Sequence, residues 1–209
     1  MRKTIIQENG IVVGNIHDKR NEKNPFYSLL LKNYYKNLDD LVKRVSPQTI
    51  HEVGCGEGHV ISRYLGQGRL LSASDFSKSI IKIAHANYGA KGILFTDTSV
   101  YDLSGHESAE LILCCEVLEH LEYPDLALKK IRDIATPYAI FAVPMEPIWR
   151  VMNILRGAYL KNWGNTPGHI QHWNINQLVC LLQANFKIIE IKKPFPWIMV
   201  LTTKKHQNA

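Results

Sequence analysis

Two kinds of hydrophobic pattern take turns along this chain. Short, nearly continuous apolar runs are separated by stretches in which apolar residues return every three or four positions. The second kind comes first: Phe26, Leu29, Leu30, Tyr34, Leu38, Leu41 and Val42 share a helical spacing between Pro25 and Val45, and Pro47 stops it. Apolar runs then predict strands at 49–53, 69–74, 92–96, 110–115 and 138–143, the last closed by Pro144. Helical spacing predicts helices at 58–66, 77–88 and 124–134. After an irregular stretch the pattern resumes with a helix at 175–184 and strands at 186–192 and 197–203. Strands alternating with helices predict an α/β fold with a largely parallel sheet.

Length and composition fit one domain able to bury a full core. No apolar run reaches membrane-spanning length, and Met1-Arg2-Lys3-Thr4 is not followed by a signal-peptide core, so the expected location is cytoplasmic. The cysteines at 55, 114, 115 and 180 lack zinc-site or disulfide spacing and read as free thiols. The formal charge of +6 is spread over scattered lysines and arginines, which favours a solvated basic surface over a polyanion site.

The most informative segment is Thr49-Ile50-His51-Glu52-Val53-Gly54-Cys55-Gly56-Glu57-Gly58, a strand end, an acid and alternating glycines leading into a predicted helix. Glycine backbone can approach a ligand that any Cβ would push away. A dinucleotide fingerprint needs its third glycine one residue later, where His59 stands, and Glu52 would repel a pyrophosphate while suiting an ammonium and a sulfonium.

With this segment the chain resembles motif I of the Rossmann-like, S-adenosylmethionine (SAM)-dependent methyltransferases, and the resemblance continues in register over roughly residues 45–203. Leu70-Leu71-Ser72-Ala73-Ser74 ends in Asp75-Phe76, where an acid can accept from both ribose hydroxyls; Gly92-Ile93-Leu94-Phe95-Thr96 ends in Asp97-Thr98, the adenine position; and Leu111–Cys115 runs into Glu116-Val117-Leu118-Glu119-His120, similar to the EVLEH signature of small-molecule methyltransferases. The resemblance implies a seven-stranded, mostly parallel sheet with helices on both faces and an antiparallel C-terminal strand. It implies SAM as cofactor, S-adenosylhomocysteine as product, and Glu52, Gly54, Cys55, Gly56, Gly58, Asp75, Phe76, Asp97, Thr98, Cys115 and Glu116 as cofactor-binding residues. A single domain would then divide into an N-terminal helical segment 1–47, a core 48–144, a substrate-capping insertion 145–173 and a C-terminal helix and hairpin 174–209.

The insertion carries an apparent helix with Met152, Leu155, Arg156, Tyr159 and Leu160, and lies at the sheet end where ligands of open α/β folds bind. Tyr27, Glu146, Trp149, Arg150 and Trp173 are the candidate acceptor contacts; aromatic walls suit an apolar or aromatic acceptor and an arginine a carboxylate or phosphate. His169, His172 and His120 are the candidate acid-base groups, since imidazole titrates near neutral pH. Packing or capping is the competing role for each. A minor reading of the insertion is membrane-surface contact by Ile148, Met152, Leu155 and Leu160 flanked by Arg150, Arg156 and Lys161.

Glu116, Glu119 and His120 stand at i, i+3 and i+4, so a helix beginning there would present all three on one face, a donor set suited to Mg²⁺ or Mn²⁺, with a histidine from 169–172 to complete it. This is similar to the metal-binding group of ubiquinone-pathway O-methyltransferases and of small-RNA 2′-O-methyltransferases. The same residues occur in metal-free relatives, and a divalent metal is not part of the expectation. Tyr27 stands where some quinone-pathway relatives place a cofactor-binding arginine, which argues against a ubiquinone-type assignment. Nucleic-acid acceptors are not expected, because Cys114-Cys115-Glu116 replaces the Asn/Asp-Pro-Pro-aromatic group that holds a flipped base. The sequence therefore points to methyl transfer to oxygen, nitrogen or carbon of a small molecule. A non-catalytic SAM- or S-adenosylhomocysteine-binding partner protein, a metal-dependent O-methyltransferase and a nicotinamide-dependent oxidoreductase are the alternatives.

Overall fold

The computed structural model describes residues 24–205 in full, together with the backbone of two short strands, β1 (Ile6–Glu8) and β2 (Ile11–Val13), which pair antiparallel. Within the segment read as helical from 1 to 47, the described residues 6–8 and 11–13 are strand and 25–45 are helix. There α1 (Pro25–Val45) begins where the Asn24 side chain accepts from the Phe26 and Tyr27 N–H groups, and ends where Ser46 turns left-handed at φ 45°.

The main sheet contains β3 (Thr49–Val53), β4 (Leu70–Ser74), β5 (Ile93–Thr96), β6 (Ala109–Cys115), β7 (Ala135–Pro144), β8 (Phe186–Lys192) and β9 (Trp197–Lys204) in the order β5-β4-β3-β6-β7-β9-β8. The first five run parallel; β9 inserts antiparallel between β7 and β8. This is the seven-stranded, mostly parallel architecture expected from the sequence. The connecting helices are α2 (Lys78–Tyr88), α3 (Pro124–Ile134), α4 (Ile148–Leu155) and α5 (Ile175–Gln183).

Strand pleating sorts the core into two layers. Ile50, Leu111, Leu113, Cys115, Ile140, Trp197 and Met199 pack with α1 on one face; Val53, Ile112, Cys114, Phe141, Ile198 and Val200 pack with α3 and α5 on the other. The order reverses between β3, which leads outward to β4, and β6, which follows on its other side, so a crevice opens at their carboxyl ends, where the glycine segment emerges.

Three expected helices are changed. The helix expected at 58–66 is a series of turns followed by one 3₁₀ turn at Ile61–Tyr64, because Gly54, Gly56, Gly58, Gly66 and Gly68 all take positive φ and leave too short a stretch to propagate a helix. The helix expected through Leu160 ends at Leu155, where Gly157 at φ 70° stops it. Glu116, at φ 60°, breaks any helix over 116–120, and only Leu118–His120 forms a 3₁₀ turn.

Candidate active site

The glycine segment packs tightly against its neighbours. Gly54 sits at φ 67°, and a Cβ there would come 2.4 Å from Val117 Cγ2; one on Gly58, at φ 81°, would come 3.0 Å from Phe95 and 3.1 Å from Tyr88. Gly56 N–H donates to Asp75 Oδ2 at 3.0 Å, and Asp75 Oδ1 accepts from Ser77 N–H at 3.1 Å. The carboxylate at the end of β4 therefore fastens the glycine turn from below.

Glu52 is buried, and its Oε2 accepts from Ile61 N–H at 2.8 Å, holding the start of the 3₁₀ turn. Cys55 is buried, and burial, with the Glu52 and Asp75 carboxylates adding to it, pushes its thiol well up, so it lies in the cradle as a neutral group. Phe76 is exposed beside Asp75. Asp97 is exposed within 3.5 Å of Lys78 Nζ, and Thr98 Oγ1 donates to Glu107 at 3.4 Å. Cys115 and Glu116 follow at the end of β6, and Trp197 Nε1 donates to Glu116 Oε1. Trp197 carries no signal in the sequence, where it reads as one more strand aromatic; the tertiary fold stacks it edge-on against Tyr34 of α1 at 5.0 Å and tilts it against Trp149 of α4 at 5.5 Å.

Among the candidate acceptor contacts, Tyr27 and Trp149 meet. With Leu30, Met152, Asn153, Arg156 and Pro196 they line a crevice of about 30 Å³ between α1 and α4. Arg156, not Arg150, supplies its cation; Arg150 Nε donates to the Trp163 carbonyl at 3.2 Å. Trp173 is separate, packed against the layer that holds α5. Glu146 Oε2 accepts from Arg150 N–H at 3.4 Å, and burial raises its carboxyl above the usual range.

The histidines form a second grouping. His120 Nδ1 lies 2.9 Å from the Gly168 carbonyl, an arrangement that places the proton on Nδ1 and leaves Nε2 as acceptor. The rings of His120 and His169 meet edge to face at 4.8 Å, and Trp149 stacks on His169 at 6.4 Å. One donor atom from each of Glu119, His120 and His169 lies within 4.8 Å of the others. Burial, the neighbouring His120 and the more distant His172 push His169 down to about 4, against the pull of Glu116. His169 is consequently neutral at physiological pH and a weak base. His172 Nε2 is engaged by Asn165 Oδ1 at 2.9 Å, and Asn165 Nδ2 also donates to the His169 carbonyl at 3.0 Å. His172 thus serves the loop that presents His169. The backbone N–H groups of Ile170 and Gln171 both donate to the Glu119 carbonyl, which sews this loop to the end of β6.

Residues 51–141, from the first core strand through the fifth, match the family described as methyltransferase domain. The matched segment, less than half of the chain, is similar to methyltransferase domains. Its sequence is 31% identical over 80 residues to the ubiquinone biosynthesis O-methyltransferase of Rickettsia typhi, a stretch covering 37% of this chain and 32% of that protein. The chain thus spans about a third of the length of that curated relative.

The methyltransferase fold extends beyond the matched segment. The magnesium protoporphyrin IX methyltransferase of Synechocystis PCC 6803, solved with bound S-adenosylhomocysteine, superposes with a TM-score of 0.67 at 15% identity, covering 88% of this chain and 89% of that one. The N-methyltransferase NodS of Bradyrhizobium japonicum WM9, also solved with S-adenosylhomocysteine, gives 0.66 at 16% identity, covering 91% and 94%. At these identities the likeness is one of fold. The glycine turn, packed too closely on Val117, Phe95 and Tyr88 for a Cβ at Gly54 or Gly58, and Asp75 after the second core strand together form the candidate SAM cradle.

Proposed function

We propose that this chain transfers the methyl group of SAM to an oxygen, nitrogen or carbon of a small acceptor that is largely apolar or aromatic. The chemistry of the lining of Tyr27, Leu30, Trp149, Met152 and Pro196 with Arg156 supports this reading: a mostly apolar wall with one cation matches a partly hydrophobic molecule bearing an anionic or polar end, for which this narrow crevice would have to widen. SAM would be held by Gly54–Gly58 and Asp75, with Asp97, Thr98, Cys115 and Glu116 completing its surroundings. The sulfonium supplies an activated methyl group. The residues of this chain supply placement, a contribution of roughly 7–11 kcal/mol in favourable intramolecular systems. In this reading His120 Nε2 accepts the proton of the attacking group, its ring oriented by the Gly168 carbonyl, and His169 and Trp149 fix the approach.

A second reading rests on the convergence of Glu119, His120 and His169. One carboxylate and two imidazoles, with His169 held neutral, form a donor set suited to a divalent ion. Such an ion lowers the pKa of a bound hydroxyl, which would narrow the reaction to O-methylation.

The test is incubation of the purified chain with labelled SAM and a panel of small aromatic and amphiphilic acceptors, with and without chelator and added Mg²⁺ or Mn²⁺. Label transfer that tolerates chelation supports the first reading. Transfer abolished by chelation and restored by the ion supports the second. SAM binding without transfer to any acceptor would leave the chain a SAM-binding partner protein.

A further inference from the structure

Helix α4 is apolar on two opposite sides. Trp149, Met152 and Asn153 face inward, whereas Val151, Ile154 and Leu155, at i, i+3 and i+4, share the outward side and are 49%, 40% and 81% exposed. A helix of a folded domain normally turns a polar side outward, and one apolar all round is normally covered. The chain then doubles back. Gly164 packs so tightly on α4 that a Cβ there would lie 2.3 Å from the Arg150 carbonyl oxygen and 2.9 Å from Ile154, and Asn153 Nδ2 donates to the Gly164 carbonyl at 2.7 Å. That return places Trp163, 77% exposed, beside the outward side of α4, with Leu160, 59% exposed, on the same connecting turn. At the far side of the crevice Phe26 and Leu29 of α1 are also exposed.

Charge singles out what covers this face. No Asp or Glu occurs anywhere from 147 to 189, while Arg150, Arg156 and Lys161 lie within or directly after α4. Exposed apolar side chains, an exposed tryptophan and cations without a single carboxylate match the interface of an anionic bilayer. Among the described residues no helix is long and apolar enough to cross a membrane, so the contact would be peripheral. We propose that the outward side of α4 and the turn to Trp163 dock on the surface of an anionic lipid membrane.

The experiment is co-sedimentation of the full chain with vesicles of phosphatidylcholine alone and of phosphatidylcholine with an equal part of phosphatidylglycerol, for the wild type and two double variants. Leu155→Ser with Trp163→Asn removes the apolar contact; Arg150→Gln with Lys161→Gln removes charge that the crevice does not use. The expected result is partition onto the anionic vesicles that weakens as salt is raised. It should fall about 25-fold in the charge variant, roughly fivefold per cation removed, and to the level of phosphatidylcholine alone in the apolar variant. Thermal melting and calorimetric SAM binding of the apolar variant should match the wild type, so that lost sedimentation is not lost folding. Absence of sedimentation of the wild type, or sedimentation unchanged in both variants, would overturn the proposal. Concentration-dependent self-association without vesicles, abolished by the apolar variant, would overturn it in favour of a second copy of the chain. Tryptophan emission gives an independent reading: a blue shift on addition of anionic vesicles that disappears in Trp163→Phe supports docking, and a shift that persists contradicts it.

Discussion

Asp75 accepts the Gly56 N–H at 3.0 Å, so the acid expected to meet the ribose of SAM also anchors the glycine turn that the rest of the cofactor would approach. One carboxylate links two strand ends. Asp75→Ala removes the acceptor for both Gly56 and Ser77 N–H groups, and we expect SAM affinity to fall by roughly 10- to 100-fold, about 1.4–2.8 kcal/mol. Calorimetry reads this directly. Asp75→Asn, which keeps an acceptor oxygen, should lose less.

Gly54 needs both its left-handed backbone and its missing Cβ. Gly54→Ala costs about 1–2 kcal/mol for a left-handed L-residue and also collides with Val117 Cγ2. Gly66, at φ 71° and with open space for 4 Å around the position a Cβ would take, experiences the first cost alone. Urea unfolding should therefore rank Gly54→Ala below Gly66→Ala, and adding Val117→Ala to the former should recover most of the difference.

His51 is buried between Ser72 Oγ at 2.9 Å and Ser74 Oγ at 3.0 Å, and burial lowers its pKa to about 4 against a counteracting pull from Glu107. His169 is lowered to about 4 as well, chiefly by burial. Both are neutral in the fold, whereas an unfolded histidine protonates near 6.5. The unfolded state therefore binds more protons below that value, and the stability these residues contribute is full above about pH 6.5 and lost progressively toward pH 4. Melting temperatures across this window should fall in the wild type and fall less steeply in His51→Gln, provided that the latter folds at pH 7.

Asn153 is buried, and its Nδ2 donates both to the Gly164 carbonyl and, at 3.2 Å, to Thr166 Oγ1. Thr166 Oγ1 in turn accepts from Trp149 Nε1 at 3.0 Å. Asn153→Ala leaves a buried carbonyl without its donor, at a cost of about 1–3 kcal/mol. Amide exchange should accelerate across 157–168 while the sheet stays protected, and the crevice, which Trp149 walls, should lose acceptor affinity.

His120 and His169 differ in what their loss should do. His120→Ala removes the oriented Nε2 acceptor and should lower kcat by roughly 10²- to 10⁴-fold if it is the base, with the pH-rate profile flattening on its acidic side. His169→Ala, which removes a weak base, should leave that profile in place. If His169→Ala instead abolishes an activity that chelator also abolishes, the two imidazoles act as ligands.

The strands at 49–53 and 110–115, the glycine turn and the terminal acids at 75 and 97 are legible along the chain because each depends on local rules: apolar runs of strand length, glycines where φ must be positive, an acid at a strand end. The α1 boundaries are legible for the same reason, through Pro25 and Pro47. The helix that periodicity predicts at 58–66 does not form, because apolar spacing says nothing about the cumulative cost of the glycines around it or the capture of Ile61 N–H by Glu52.

What the chain could not show by itself was contact across long sequence separation. Trp197 reaches Glu116, Trp149 stacks on His169, and His169 joins Glu119 and His120 only because β9 inserts beside β7 and the 163–173 loop is sewn to the end of β6. Local pattern determined the fold class and the glycine turn that Asp75 anchors, since both are set by backbone conformation within a few residues. The crevice between α1 and α4 and the histidine cluster were decided by the tertiary structure, since side chains far apart along the chain meet there only after the sheet has ordered its strands.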